Sequence, residues 1–256
     1  TSPLCVAEAG YFEVPVYVSP IAVFFNVEGV DSLNLSPAVI AGIFKGEITN
    51  WNDPAIAADN PDATLPDLAI TPVHRSDDSG TTKNFSDYLS KNAGEIWDGE
   101  VADAFPYATG EGAEGTSGVV DAVTNGTGTI GYADASKAGK LGVANIKVGN
   151  KFVKYTPEAA AAVVAESKPV DGRSKTDMAI SIDRTTTDAS HYPIVLVSYL
   201  IGCNDYQDDA TGALVNAYAS YLTSADGQAE AGAAAGSAPI TGAVQEEAAG
   251  ITAAIQ

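Results

Sequence analysis

"LAITPVH" at 68–74 runs directly into "RSDDSGTT" at 75–82, and "KNFSDYLSKN" at 83–92 follows. The first run is apolar and rich in strand-forming residues, so it predicts a strand. In the third, Phe85, Tyr88 and Leu89 share one face of a helix predicted from about Thr81. The middle run is the loop that joins them. It places Ser79, Gly80 and Thr81 at a helix start, where the first backbone N–H groups are unpaired and the macrodipole is positive. Gly80 lets a ligand reach the backbone, the Ser79 and Thr81 hydroxyls add donors, and Arg75 supplies a fork that matches a tetrahedral oxyanion. Together these residues describe an anion site. The plainer reading of the same residues is a Ser79 helix cap beside a surface arginine.

Outward from this loop, "FEVPVYVSPIAVFFNV" (12–27) reads as extended, with Pro15 and Pro20 as punctuation. "LSPAVIAGIFKGEI" (35–48) has the helix start Ser36-Pro37 and helical spacing at Val39, Ile40, Ile43 and Phe44. Further helices are expected around 117–124 and at "TPEAAAAVVAE" (156–166). Another long one is expected within "GALVNAYASYLTSADGQAEAGAAAG" (212–236), and a last one closes the chain. Strands are expected around 129–133, at "MAISI" (178–182) and at "YPIVLVSYLIGC" (192–203). This alternation predicts an α/β architecture with a largely parallel sheet.

The chain has 256 residues, enough for one large domain or two lobes. Its 33 acidic against 13 basic residues give a formal net charge of −20, which argues against nucleic acid and anionic lipid as partners. No apolar run has the length of a membrane span. The charge fits solubility outside a cell. Cys5 and Cys203 have no metal or redox spacing, so they are two buried thiols or one long-range disulfide. An extracellular composition favours the second.

Other chemistry is thin. There is no G-x-x-x-x-G-K-[ST] run. "GEGAEG" (110–115) fits G-x-G-x-x-G, but "DAFPYAT" before it makes a poor strand, and Glu111 and Glu114 would face a pyrophosphate. His74 and His191 are the only histidines, so a His-rich metal site is excluded, and no G-x-S-x-G elbow occurs. Trp51 and Trp97 read as packing residues. Neither a cofactor nor a metal is expected.

"VHRSDDSGTTKNFSDYLSKNAGEIW" (73–97) closely resembles the binding-loop segment of phosphate-binding proteins of the phosphate-specific ABC importer. "LSPAVIAGIFKGEITNWNDPAIAADNPDATLP" (35–66), "GTIGYADAS" (128–136) and "AGSAPI" (235–240) are similar to other segments of that family, so the resemblance covers most of the chain. It implies an α/β, two-lobe, Venus-flytrap protein (type II, periplasmic-binding-protein-like) that captures inorganic phosphate and delivers it to an ABC permease, without chemistry of its own. Arg75, Ser79, Gly80 and Thr81 match the family's phosphate contacts, and Asp77 matches the aspartate that holds the arginine. Crossings between lobes are expected near Val16–Pro20 and His191–Pro193. One lobe is then 18–190, and the other combines 1–17 with 191–256.

One departure stands out. The family carries an N-terminal section with two further ligand loops and a buried aspartate just before a "PL" dipeptide, whereas here "TSPL" occupies residues 1–4. These contacts are then half a site, and one lobe is incomplete at its N-terminus. The expectation is a nicked or truncated chain, with the missing section lost or present as a separate fragment. Cys5 and Cys203 fall in the same discontinuous lobe, so the resemblance implies that a disulfide ties its pieces together. An extracytoplasmic location follows, with a lipid anchor conceivable through the missing section. Two alternatives are a phosphoryl-transfer or phosphate-ester-hydrolysing enzyme that uses the same loop with His74 as acid or base, and a surface protein that has lost its ligand.

Overall fold

The computed structural model describes residues 3–256; Thr1 and Ser2, the start of the "TSPL" run, lie outside the described residues. The chain forms two compact units. One, the loop-bearing unit, comprises Pro20–Thr156 and Arg184–Leu196; the terminal unit comprises the chain up to Ser19, Pro157–Asp183 and Val197–Gln256.

The loop-bearing unit is built on a sheet. Its strands are the second part of β1 (Tyr11–Asn26), β2 (Ser32–Leu35), β3 (Thr71–Arg75), β4 (Glu111–Ala113), β5 (Thr129–Asp134), β6 (Gly142–Val148) and β7 (Lys151–Val153). The order is β2-β6-β1-β5-β3-β4, with β7 added on β6. β3 pairs in parallel with β5 and β4, and β2 with β6, but β1 runs antiparallel to both β5 and β6. The sheet is therefore mixed where a largely parallel one was expected. The long buried run Ile21–Phe25 sits mid-sheet, paired along its length with β5 and, at Phe24 and Phe25, with β6 on the other side.

Helices cover this sheet. In α1 (Pro37–Lys45) Pro37 opens the helix, the buried face is Val39, Ile40, Ile43 and Phe44, and Gly46 ends it in the left-handed region. α2 (Pro54–Asp59) is capped by the Asp53 side chain. α3 (Gly80–Asn92) buries Phe85, Tyr88 and Leu89, and α4 (Gly115–Asn125) buries Val119 and Val123. Phe85 stacks on Tyr132 with centroids 4.2 Å apart, and Phe44 meets both rings edge-on. Trp51 and Trp97 are buried packing residues; Trp51 Nε1 donates to the Gly128 carbonyl (3.0 Å).

The terminal unit contains α5 (Pro157–Glu166), the short pair β8 (Lys168–Pro169) and β9 (Ile180–Ser181), most of β10 (Val195–Cys203), then α6 (Asp209–Thr223), α7 (Ala225–Ala235) and α8 (Gly242–Ala253). Residues 157–183, expected within the 18–190 lobe, join the chain termini instead. The backbone shows why: Glu13 N donates to Thr176 O (2.8 Å) and Met178 N to Glu13 O (2.7 Å), stitching this segment to the start of β1. α5 also packs against α8. "MAISI" contributes only Ile180–Ser181 as strand, and β10 begins at Val195, three residues after Tyr192. The long helix expected over 212–236 breaks at Ser224. That hydroxyl caps α7 by accepting from Gly227 N (3.1 Å).

Cys5 and Cys203 are joined in a disulfide with Cα atoms 5.4 Å apart, inside the terminal unit. All the large exposed apolar side chains among the described residues also lie in this unit: Leu4, Tyr11, Val170, Ile201, Leu214, Tyr218 and Tyr221. Three of them, Leu214, Tyr218 and Tyr221, form one stripe on α6 at helical spacing.

Candidate functional site

The predicted residues converge where β3 delivers the chain to α3. Arg75 is the last residue of β3 and Gly80 the first of α3, so Ser76–Ser79 form the connecting loop. Arg75 is not a surface residue: its side chain is 13% exposed. Its Nε donates to Asp77 Oδ1 (2.7 Å), and its terminal nitrogen pairs with Asp77 Oδ2 in a two-pronged contact. Asp77 Oδ1 also accepts from the Gly115 amide (3.0 Å). The Arg75 hydrogen bond, with the Gly115 amide second, holds the Asp77 carboxyl well below the usual carboxylate range. The pair therefore stays ionised throughout neutral and mildly acid pH. The guanidinium retains N–H groups beyond those given to Asp77.

Ser79 is the N-cap of α3 and is buried, at 6% exposure. Its hydroxyl accepts from Thr81 N (3.2 Å) and its amide donates to Asp103 O (2.9 Å). The capping reading and the anion-site reading are therefore compatible at Ser79. A hydroxyl that accepts through a lone pair keeps its proton to donate. Gly80 is exposed, with its open side against Leu196: a Cβ added there would lie 3.3 Å from Leu196 Cδ1. Thr81 is half-buried beside it, and Thr82 is buried with its hydroxyl 2.7 Å from Tyr132 Oη. Burial pushes the Tyr132 phenol up to about 12, so it stays neutral under Arg75.

The glycine run that mimics a dinucleotide fingerprint has another part here. Gly110, at φ +70°, lets the chain pass so close that a Cβ would fall 2.1 Å from Pro72 O, and β4 then pairs along β3. Gly115, at φ +67°, starts α4 and aims its amide at Asp77. Sequence reasoning missed Gly115 as part of the arginine's anchorage. His74, the candidate acid or base, has its ring stacked on Phe105 with centroids 4.0 Å apart, and its Nδ1 lies 2.9 Å from Arg75 O. Among the described residues no cluster of three or more metal-ligating side chains occurs, and no helix is long and apolar enough to cross a membrane.

A mixed α/β chain in two units, with an arginine anchored beside a helix start, has the architecture of the periplasmic-binding-protein class. The profile of the PBP superfamily domain matches residues 4–226, and the chain belongs to that superfamily. "Phosphate-binding protein PstS 3" of Mycobacterium tuberculosis is 39% identical over 214 residues, covering 81% of this chain and 57% of that protein. "Phosphate-binding protein PstS" of Xylella fastidiosa is 31% identical over 207 residues, covering 79% and 56%. The chain thus spans a little over half the length of the curated relatives it matches. Among solved structures, a high-affinity periplasmic phosphate-binding protein (PfluDING) bound with phosphate superposes with a TM-score of 0.71 at 23% identity, covering 92% of this chain and 70% of that one. A phosphate-binding protein from Stenotrophomonas maltophilia gives 0.66 at 17% identity, covering 95% and 72%. These likenesses show the two-lobe periplasmic-binding fold.

Proposed function

We propose that this protein captures inorganic phosphate outside the cytoplasm and, as the family resemblance implies, delivers it to the permease of an ABC importer. Arg75, Ser79, Gly80 and Thr81 are its phosphate contacts, and Asp77 orients the guanidinium. One observation carries the reading: Arg75 is mostly buried and clamped by Asp77 at the mouth of α3, a geometry that presents a fork and helix-start donors together. The names of the relatives and a disulfide that suits an oxidising compartment support it. His74 is held by a ring stack and a backbone contact, which favours capture over acid–base chemistry. Calorimetric titration with inorganic phosphate is expected to show saturable binding, while 4-nitrophenyl phosphate is not turned over. Steady hydrolysis that disappears in His74→Ala would instead establish the enzyme reading.

The proposal includes a companion polypeptide, an N-terminal section that completes the terminal unit. Its support is the concentration of exposed apolar side chains there, including the α6 stripe. Non-denaturing mass spectrometry of the protein from its source is expected to show a second, smaller chain bound to this one. A homogeneous mass of this chain alone, with full phosphate affinity, would remove the companion from the proposal.

A further inference from the structure

Arg184 lies in "SIDRTTTD" (181–188), a run that reads as a polar surface turn, yet it is 3% exposed. Its donors are spent on two pieces of the loop-bearing unit. Nη1 donates to the carbonyls of Pro193 (2.6 Å) and Val195 (2.9 Å). Nε donates to Asp87 Oδ2 (3.1 Å), and Nη2 to Asn84 Oδ1. Asn84 in turn donates from Nδ2 to Gly80 O (2.8 Å), the first carbonyl of α3. Leu196, one residue past Val195, lies over Gly80. The contacts form a closed circuit from Gly80 through Asn84 and Arg184 to Pro193 and Val195, and back through Leu196. Residues 193–196 are the last of this unit before the chain passes into the other.

We infer that Arg184 and Asn84 are positioning residues for the phosphate site, fixing the first turn of α3 against residues 193–196 so that ligand at Gly80 and order in that segment are coupled. This rests on the phosphate reading of the loop. The physical basis is geometric. Asn84 is one helical turn from Gly80, about 6 Å along the axis, so displacement of its amide is felt at the carbonyl it holds. Arg184 is a planar fork that serves both segments at once, which a single ammonium does not reproduce. Two sites sharing one rigid element bias each other reciprocally.

Hydrogen exchange on the whole protein, with and without saturating inorganic phosphate, tests this. In the wild type, phosphate is expected to slow exchange about tenfold both at residues 79–83 and at Ile194–Leu196, a size usual for coupled sites. In Asn84→Ala and Arg184→Lys, saturating phosphate is expected to protect 79–83 while protection at Ile194–Leu196 is lost, with affinity several-fold weaker. A merely structural role would lower thermal stability and leave the two protections linked. Asn84 is only half-buried, so its variant reports even where Arg184→Lys fails to fold. Wild-type protection confined to 79–83, or linked protection retained in Asn84→Ala, overturns the coupling and leaves the phosphate reading intact. No protection at 79–83 in the wild type overturns both.

Discussion

Arg75→Ala is expected to reduce phosphate affinity by at least about a hundredfold. Hydrogen bonds to charged groups contribute ~1.5–3 kcal/mol each, and about 3 kcal/mol is two orders of magnitude in the dissociation constant. The loss has a second component. With the guanidinium gone, Asp77 keeps backbone amides but no cation, and a carboxylate without a counter-charge then stands at the mouth of a site for an anion. The double variant Arg75→Ala/Asp77→Ala should therefore bind better than Arg75→Ala alone, by several-fold, and Asp77→Ala alone should be intermediate. Arg75→Lys should recover only part of the affinity, because an ammonium lacks the two-pronged geometry that Asp77 and a phosphate both exploit. Calorimetry at fixed ionic strength resolves the four variants. An Arg75→Ala protein that binds phosphate within threefold of wild type would refute the assignment of the site.

What could be read in the sequence follows from how local each signal is. The strand, the loop and the helix start at 71–82 were legible because strand propensity, a serine cap and a glycine fall within a dozen residues. The Arg75–Asp77 clamp needs only two residues of separation, and the family resemblance pointed to it. Gly115 was not legible as its third member, since the amide comes from 38 positions away and sits in a glycine run that mimics another motif. Asn84 looks like an ordinary half-exposed helix residue, and Arg184 like a turn cation. Arg184 bonds to partners 9 to 100 positions away, and no window of local sequence carries that information. The mixed sheet has the same cause. Strands β2, β4, β6 and β7 went unread, and the antiparallel setting of β1 depends on pairing with residues 129–134 and 142–143, not on its own composition. The assignment of 157–183 was decided by two backbone hydrogen bonds, Glu13 N donating to Thr176 O and Met178 N donating to Glu13 O.

Removing the disulfide is expected to destabilise one unit selectively. Cys5 and Cys203 are 198 positions apart, and both lie in the terminal unit, which is assembled from three separate stretches of chain. Loop-closure entropy for a ring of that length amounts to roughly 5 kcal/mol, against ~2–5 kcal/mol typical for loss of a native disulfide. The cross-link matters more here because all the large exposed apolar side chains among the described residues lie in this unit, and that area contributes no burial against unfolding. The two tryptophans provide a built-in discriminator. Trp51 and Trp97 are both buried and both belong to the loop-bearing unit, whereas α5 to α8 belong to the terminal unit. In Cys5→Ser/Cys203→Ser, urea unfolding followed by far-ultraviolet circular dichroism should develop an early phase, its midpoint lower by roughly 1–2 M for a slope of about 1–3 kcal/mol/M. Tryptophan emission should keep the wild-type midpoint, because the cross-link does not bear on the core around those rings. Such non-coincident transitions are the mark of units that unfold separately. Equal shifts by both probes would mean that the chain unfolds as one body. No shift by either would mean that the bond contributes nothing, and the disulfide would lose its role as the tie of the terminal unit.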